Sequence, residues 1–397
     1  MIIGVLKEIK SGESRVIMTP IEAGELVADG HEVLVQSGAG VKAGFEDEEY
    51  ISVGAEIRNH MKEIYQESDM VVKVKEIEPT EYEMIKEGQI IFTCIHPAAN
   101  REEVDTLLER KAIAFTAEDT HRFGSPNCEV AGKLGALMGV NYLLSINGGR
   151  GQLICGIGGA PGANVLVLGA GIVGKGAVEI VSALGAQVTL MDVNIGTLRH
   201  CEEIFPKNVQ TMFSNQQNIK KILSRMDLVI NCVKWPKHRK DHLITKDMLR
   251  FMKKGSVIVD VSADVGGAIE TYKPTTHENP TYEIDGVIHY GVDNIPGAAP
   301  HTTSIAYAAS VFPHLKAIAN DGIVEACKRD GYLRRSLTVF KGTLTHEEAS
   351  VIQNRSWKTP EEVLGLTDCV DLDHVPKATT TSVKKKDSSK ESVCNCC

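Results

Sequence analysis

The sequence contains no run of the roughly 18 apolar residues that a membrane-spanning helix requires. Its opening, Met-Ile-Ile-Gly-Val, predicts a strand and not a signal peptide. A basic excess is also absent, since 43 lysine and arginine residues stand against 52 acidic ones. This balance argues against nucleic acid as a partner, because nucleic-acid binders carry a basic excess on the binding face.

A disulfide framework is lacking as well, although the chain has 10 cysteines. Apart from three at the C-terminus, the cysteines are scattered singly along 397 residues. Scattered cysteines are typical of reduced thiols, so we expect a cytoplasmic protein. Apolar residues make up 43% of the chain and charged residues 24%, which is ordinary for folded proteins. The length predicts two or three domains.

Short apolar runs alternate with amphipathic stretches, which is the pattern of a parallel sheet covered by helices. The first series of runs comprises Ile2–Leu6, Glu32–Gln36, Met70–Val74, Ile90–Ile95 and Ala112–Phe115. The second series comprises Asn164–Leu168, Val188–Met191, Leu228–Cys232, Ser256–Val261 and Val287–Tyr290. Two such series predict an α/β protein with two doubly wound, Rossmann-like domains.

The pattern changes after Pro296, where Ser304–Ile318 and Asp321–Asp330 have helical periodicity and only Leu337–Phe340 resembles a strand. A helical segment too short to form a domain packs on an earlier one. We therefore predict a discontinuous first domain of residues 1–125 and 300–366, and a second domain of residues 126–299. Residues 367–397 lose apolar periodicity and become rich in lysine, which predicts a disordered tail.

A glycine-rich turn lies between a strand and a helix at the start of the second series. The strand is followed by Gly169-Ala-Gly171-Ile-Val-Gly174, and Asp192 ends the next strand. In this context the motif predicts a dinucleotide site, because its glycines allow a tight turn and close approach of a pyrophosphate to a helix N-terminus. The carboxylate of Asp192 would accept hydrogen bonds from the ribose hydroxyl groups of the cofactor and would repel a 2′-phosphate. We therefore expect NAD, and residues 126–299 as its binding domain.

Polar side chains follow several of the predicted strands. Lys75 and His96 come directly after strands of the first series, Arg15 lies in the loop after its first strand, and Asp264 follows a strand of the second series. Each residue alone is commonly a solvated surface group. Their shared position at the carboxyl ends of strands instead favours a binding cleft. In such a cleft the arginine, with two hydrogen bonds, and the lysine would bind a substrate carboxylate, and the histidine would transfer protons. We expect no metal ion in this chemistry.

Many further segments make the sequence similar to one enzyme family, from residue 1 to about residue 320. They include Glu13-Ser-Arg15-Val, Lys73-Val-Lys75-Glu, Ile95-His96-Pro-Ala-Ala, Gly148-Gly-Arg-Gly151, Val259-Asp-Val-Ser-Ala-Asp264 and Val292-Asp-Asn294. The chain thereby resembles the alanine dehydrogenase family, which is related to the nicotinamide-binding alpha part of proton-translocating transhydrogenase.

The resemblance implies reversible oxidative deamination of L-alanine to pyruvate and ammonia by a homo-oligomer, usually a hexamer. It implies that Arg15 and Lys75 hold the substrate carboxylate, that His96 is the acid and base, and that Asp264 is its catalytic partner. The NAD contacts that it implies are Gly169, Gly171, Ile172, Val173, Gly174, Asp192, Ser214, Val261 and Asn294.

Some segments depart from the family pattern and leave alternatives open. Residues 233–242 are bulky and basic where the family is small and apolar, and Cys128 replaces an expected serine near the cofactor. Features around His96 and Asp264 are also similar to carboxyethyl-ornithine synthase, which joins pyruvate reductively to an amino acid. Trp235 and His238 would then shape a larger pocket, or else belong to a rearranged surface loop. A non-catalytic nucleotide sensor is a third alternative.

The chain ends in Cys394-Asn-Cys396-Cys397 after Lys384-Lys-Lys386. This end resembles double-cysteine ends that receive geranylgeranyl groups. A lipid with adjacent lysines supplies the two signals that stable membrane anchoring needs. The alternative is a disordered end with incidental thiols.

Overall fold

The computed structural model describes residues 1–236, 239–263 and 265–377 of the chain. The strands are β1 Ile2–Val5, β2 Glu32–Gln36, β3 Glu56–Arg58, β4 Met70–Val72, β5 Ile90–Thr93, β6 Ile113–Thr116, β7 Asn164–Leu168, β8 Gln187–Asp192, β9 Val209–Phe213, β10 Leu228–Asn231, β11 Val257–Asp260, β12 Thr281–Ile284, β13 Val287–Tyr290, β14 Leu337–Phe340 and β15 Thr343–Leu344. The α-helices are α1 Pro20–Ala28, α2 Asp47–Ser52, α3 Met61–Glu67, α4 Arg101–Glu109, α5 Pro126–Tyr142, α6 Ile172–Ala183, α7 Ile195–Ile204, α8 Gln216–Leu223, α9 Pro300–Arg329, α10 Gly331–Ser336, α11 Glu347–Gln353 and α12 Pro360–Leu364.

The strands form two sheets, which confirms the predicted pair of Rossmann-like domains. The first sheet has the order β15-β14-β6-β5-β4-β1-β2-β3. Its strands β1 to β6 are parallel, whereas β14 is antiparallel to β6 and β15 is antiparallel to β14. Because β14 comes from the predicted strand Leu337–Phe340, the chain returns to the first sheet after leaving it, and the first domain is discontinuous as predicted.

The second sheet has the order β12-β13-β11-β10-β7-β8-β9. All of its strands are parallel except β12, which is antiparallel to β13. In each sheet the chain leaves the first strand in one direction and later returns to its other side. These reversals lie between β1 and β4 and between β7 and β10, and ligands bind at such reversals in α/β sheets.

Helices cover both faces of each sheet. In β2, Val33 and Val35 contribute to one core cluster and Leu34 contributes to another. In β10, Leu228 and Val229 similarly face opposite clusters. A strand buried on both faces needs a continuous apolar run, and for that reason the central strands are visible in the sequence.

The two helical segments predicted after residue 300 form one long element, α9, with a break inside it. Gly322 has φ 78° and ψ 164°, which lies outside helical geometry. Tyr307, Val311 and Leu315 of α9 pack into the core of the first sheet. The C-terminal helices therefore cover the first domain.

Residues 367–377 form no helix or strand, but they contact the first domain. Leu372 packs against the core of the first sheet. The backbone carbonyl of Asp373 accepts a hydrogen bond of 2.5 Å from Arg334, whose side chain is buried. The tail was predicted to begin at residue 367, and composition could not reveal these specific contacts. Residues 378–397, with Cys394, Cys396 and Cys397, lie outside the described residues.

Candidate active site

The glycine-rich turn forms an open cradle at the start of α6. Gly169 has φ 92°, a left-handed conformation that favours glycine. A Cβ built on Gly174 would lie 1.8 Å from the carbonyl oxygen of Gly169, so only glycine allows this close packing. A Cβ on Gly171 would instead meet nothing within 4 Å. The backbone N–H groups at the start of α6 receive no side-chain cap, so they are available to a phosphate.

The other predicted cofactor residues surround this cradle. Ile172 and Val173 form the first turn of α6, and the carboxylate of Asp192 accepts a hydrogen bond of 2.7 Å from the N–H of Ala170 in the glycine turn. Ser214 is buried and donates its N–H to the carbonyl of Asp192 at 2.9 Å. These residues fit a dinucleotide, since the cradle leaves space at Gly171 and places a carboxylate beside it.

Two residues that the family resemblance predicts as NAD contacts, Val261 and Asn294, lie against the core of the second sheet and against the first domain, respectively. Val261 follows β11 and packs against the core of the second sheet. Asn294 is buried, and its side-chain amide donates to the carbonyl of Gly12 at 3.2 Å and to the carboxylate of Glu13 at 3.1 Å. Asn294 therefore joins the second domain to the loop that carries Arg15.

Arg15 lies at this junction and is 3% exposed. Its Nε and one Nη2 hydrogen bind both carboxylate oxygens of Glu13, at 2.7 and 2.5 Å. Nη1 donates to Asn127 at 2.8 Å, and Nη2 also donates to Asn294 at 3.2 Å. Glu13 thus occupies the fork that we expected a substrate carboxylate to use, which leaves Arg15 one N–H donor on Nη1.

The Glu13–Arg15 pair is strongly ionised. Burial alone raises the pKa of the Glu13 carboxyl, but the hydrogen bonds and charge of Arg15 outweigh it and lower that pKa to about 2. The pair therefore carries no net charge, and Arg15 contributes a fixed donor rather than a free cation.

His96 lies in the turn that follows β5 and has φ 48°, a left-handed conformation that is uncommon for a residue other than glycine. Contacts on both sides hold this turn. The side chain of Asn100 donates to the carbonyl of Ile95 at 2.7 Å, and the side chain of Gln353 donates to the carbonyl of Pro97 at 2.6 Å. The imidazole is 46% exposed, so it is accessible from the cleft.

Two carboxylates flank the imidazole. Glu118 follows β6, and its Oε1 lies 3.2 Å from Nδ1 and accepts the backbone N–H of His96 at 2.6 Å. Glu76 Oε1 lies 3.7 Å from Nε2. Partial burial lowers the pKa of His96, but Glu118 and Glu76 outweigh it and raise that pKa above 6.5. Burial alone would raise the pKa of the Glu118 carboxyl, but the charge of His96 and its hydrogen bond lower that pKa to about 2. Glu118 therefore remains ionised.

Lys75 is half-buried at the end of β4, and Glu8 holds its backbone. The Oε1 atom of Glu8 accepts the N–H groups of Val74 at 2.5 Å and of Lys75 at 3.1 Å. The positive charge of Lys75 acts on both His96 and Cys94. Cys94 is also within electrostatic range of Arg15. The structure therefore brings Arg15, Lys75 and His96 to one edge of the first sheet.

Not every expected residue can be placed in this site. Asp264 lies outside the described residues. Trp235 is 4% exposed and belongs to the core of the second sheet, and its indole N–H donates to the carbonyl of Asp241 at 2.9 Å. His238 also lies outside the described residues. Trp235 is thus a core residue and does not line a substrate pocket.

Sequence reasoning assigned no role to Glu118, Glu76, Glu13 or Asn127. Glu118 carries the same sequence signal as His96, because it follows the next strand at the same sheet edge. Glu76 is adjacent to Lys75, and Glu13 belongs to the segment Glu13-Ser-Arg15-Val. Asn127 carries no signal in the sequence, because its contact with Arg15 depends on how the two domains meet.

The described cysteines and helices bear on two further expectations. Cys94, Cys128, Cys155, Cys201, Cys232, Cys327 and Cys369 are all free thiols. No helix in the described ranges is both long and apolar enough to cross a membrane.

The chain matches known proteins over most of its length. Residues 4–126 match the family model described as alanine dehydrogenase/PNT, N-terminal domain, and residues 135–347 match its C-terminal counterpart. The chain is 39% identical over 371 residues to alanine dehydrogenase of Methanococcus maripaludis, covering 92% of this chain and 100% of that protein. It is 41% identical over 353 residues to alanine dehydrogenase of Bacillus subtilis, covering 87% and 93%.

Solved structures of an L-alanine dehydrogenase and of a transhydrogenase are also similar to this chain. An L-alanine dehydrogenase structure superposes with a TM-score of 0.84 at 38% identity, over 89% of this chain and 99% of that one. A transhydrogenase from Sinorhizobium meliloti superposes with a TM-score of 0.71 over 87% of this chain and 99% of that one. Its identity is 22%, so that likeness concerns the fold alone.

Proposed function

Since the chain belongs to the alanine dehydrogenase/PNT family, we propose that it catalyses the reversible, NAD-dependent oxidative deamination of L-alanine. L-Alanine, NAD⁺ and water give pyruvate, ammonium, NADH and a proton. The observation that carries this proposal is that Arg15, Lys75 and His96 follow β1, β4 and β5, which are adjacent parallel strands of the first sheet. A glycine cradle that suits NAD lies at the corresponding reversal of the second sheet.

The substrate carboxylate is bound by Arg15 and Lys75. Arg15 supplies its remaining Nη1 hydrogen, while Glu13, Asn127 and Asn294 hold the guanidinium in one orientation. Lys75 supplies the positive charge that Arg15 no longer offers. A lysine is a mobile point charge, so it can follow the carboxylate as the substrate changes from tetrahedral to planar.

His96 moves the protons. Glu118 holds Nδ1, so Nε2 is the nitrogen that faces the substrate. In the direction of deamination Nε2 accepts a proton from the attacking water and passes it to the nitrogen, so that ammonia can leave. Nε2 then takes the hydroxyl proton as the carbonyl of pyruvate forms, and the same transfers run backwards in the reverse direction. When bound, NAD accepts the hydride from Cα. The roles of Asp264 as catalytic partner and of Ser214, Val261 and the glycine turn as NAD contacts remain part of this proposal.

A second candidate is reductive condensation of pyruvate with an amino acid. The burial of Trp235 weighs against it, because this side chain does not line a larger amine pocket. The discriminating assay is NADH oxidation with pyruvate, comparing ammonium with ornithine, lysine and other amines. We expect turnover with ammonium alone. A requirement for an amino acid as amine donor would select the condensation.

A catalytically inactive sensor is tested by His96→Ala. Because general acid–base catalysis contributes about 10²–10⁴-fold, kcat should fall by about that factor. The affinity for NADH, measured by fluorescence titration, should be unchanged. Full turnover in this variant would support the sensor.

Two broader expectations complete the proposal. The family resemblance supports a homo-oligomer, a hexamer, in the cytoplasm, and light scattering of the purified chain tests the assembly. The terminal cysteines support lipidation and peripheral membrane anchoring. Labelling with a geranylgeranyl analogue tests this, with Cys394, Cys396 and Cys397 all changed to Ser as the control. No incorporation in the parent chain would remove the anchoring.

A further inference from the structure

The nitrogen of the substrate needs a binding group, and the described residues Arg15, Lys75 and His96 do not supply one. L-Alanine carries an ammonium group, and the reverse reaction takes up an ammonium ion. Lys75 is a cation and repels it, and Arg15 is a hydrogen-bond donor that is already paired with Glu13. His96 is flanked by carboxylates that favour its own positive charge. A carboxylate beside Nε2 of His96 would satisfy the nitrogen.

Glu76 is placed for this role. Its Oε1 lies 3.7 Å from Nε2 of His96, which is longer than a hydrogen bond and leaves the two groups side by side. Its Oε2 accepts a hydrogen bond of 3.1 Å from Nζ of Lys10. Partial burial raises the pKa of Glu76, but Lys75, His96 and Lys10 outweigh it and lower that pKa, so the side chain is ionised at neutral pH.

Glu76 also lies near the second domain through its partner. Lys10, its partner, lies in the loop after β1 and is within electrostatic range of Asp293 in the second domain. The side chain of Glu76 is 15% exposed. A nitrogen that hydrogen-bonds to Nε2 of His96 from the cleft therefore comes within reach of Oε1 of Glu76.

The other described carboxylates near His96 and Arg15 cannot take this role. Glu118 uses Oε1 for His96, and its Oε2 is buried. Glu13 gives both oxygens to Arg15 and has 0% side-chain exposure. Glu8 holds the backbone of Lys75 with Oε1, and its Oε2 is also buried.

On the basis of the proposed function, we propose that Glu76 binds the nitrogen of the substrate. It binds the ammonium group of L-alanine in one direction and the incoming ammonium ion in the other. Glu76 thereby places the nitrogen beside His96 while Arg15 and Lys75 hold the carboxylate at the opposite end of the substrate.

The test is a set of Michaelis constants in the parent enzyme and in Glu76→Gln. We expect the KM for ammonium to rise about 10- to 100-fold, the range of one charge-assisted hydrogen bond. The KM for L-alanine should rise with it, while the KM values for pyruvate and NADH stay within about twofold. The matched control is Glu87→Gln, which removes an exposed carboxylate that also pairs with a lysine, Lys111, at 3.1 Å. All four constants should be unchanged in the control.

Each outcome separates this inference from the proposed function. A parent enzyme without ammonium-dependent NADH oxidation would overturn the proposed function and the role of Glu76 with it. An active parent whose Glu76→Gln variant keeps its KM for ammonium would overturn the role of Glu76 alone. An equal rise in all four constants would also overturn it, because such a rise reports a structural role. Should Glu76→Gln fail to fold, Glu76→Asp retains the charge at a shorter reach and should raise the KM for ammonium selectively.

Discussion

At the scale of single residues, His96 shows how the site is supported by its neighbours. Its left-handed backbone costs roughly 1–3 kcal/mol. Hydrogen bonds from Asn100 and Gln353 to adjacent carbonyls, and one from its own N–H to Glu118, retain it in this conformation. The strand end predicted the position of His96, but two of the three residues that orient it, Glu118 and Gln353, come from distant segments.

Removing the charge of Glu118 should change the pH dependence of catalysis. Glu118 raises the pKa of His96, so Glu118→Gln lowers that pKa. Deamination needs the unprotonated imidazole, and the acid limb of its pH–rate profile should therefore move to lower pH. The measurement is kcat/KM for L-alanine from pH 5 to 10. An acid limb that stays in place, or moves to higher pH, would contradict the assignment of that limb to His96.

Glu8 gives a stability prediction with a defined sign. Burial raises its pKa from 4.5 to about 7, although Lys73 opposes this. Between these two values the folded protein retains a proton that the unfolded chain has released, so the free energy of unfolding decreases as pH rises. Glu8→Gln should remove up to about 3 kcal/mol of this decrease. Urea unfolding at pH 4, 6 and 8 measures it, with Glu87→Gln as the control, and identical pH dependence in parent and Glu8→Gln would refute it.

At the scale of elements, the sequence predicted the central strands but not the edges. The strands without a predicted counterpart are β3, β9, β12 and β15, and these are the four outermost strands of the two sheets. Edge strands are covered on fewer sides, and β9 accordingly has no buried residue. Their apolar signal is therefore weak, whereas a strand such as β10, buried at all four positions, is a continuous apolar run.

The candidate site follows the same division. Residues at the ends of central strands, such as Lys75 and His96, could be found from the sequence. Contacts between the domains could not be found from the sequence, and Asn294 is an example. The family resemblance implies that Asn294 contacts the cofactor, and it gives no sign of the side-chain hydrogen bonds that Asn294 makes with Gly12, Glu13 and Arg15.

The glycine turn offers a matched pair of variants. Gly171 has φ −73° and nothing within 4 Å of a built Cβ, so Gly171→Ala should leave the Tm unchanged. Its methyl group would enter the cradle and raise the Kd for NADH by at least about tenfold. Gly174→Ala would clash with the backbone of Gly169 at 1.8 Å and should lower the Tm as well. Thermal melting and fluorescence titration measure both, and tight NADH binding by Gly171→Ala would contradict the location of the cradle.

At the scale of the whole molecule, the end of the chain stabilises the first domain. A truncation after Leu366 removes Leu372 from the core and takes the carbonyl of Asp373 from buried Arg334. Leaving such a donor unpaired costs about 1–3 kcal/mol, so the Tm should fall. A truncation after Lys377 keeps these contacts and is the control. Equal Tm values for the two truncations would show that residues 367–377 contribute nothing.

Polar contacts join the loop after β1 of the first sheet to the second domain. Arg15 of the first domain binds Asn127 and Asn294 of the second. Arg15, for which we propose a role in binding the substrate carboxylate, is thus held directly to the domain that carries the glycine cradle. This arrangement accounts for a hydride transfer between a substrate on one domain and a dinucleotide on the other.

That transfer is tested most directly with L-alanine carrying deuterium at Cα. This L-alanine is incubated with NAD⁺ and the enzyme, and mass spectrometry should then find the deuterium in the reduced nicotinamide ring, with pyruvate as the other product. Deuterium released into water, with none in the nicotinamide, would contradict direct transfer across the cleft and the function built on it.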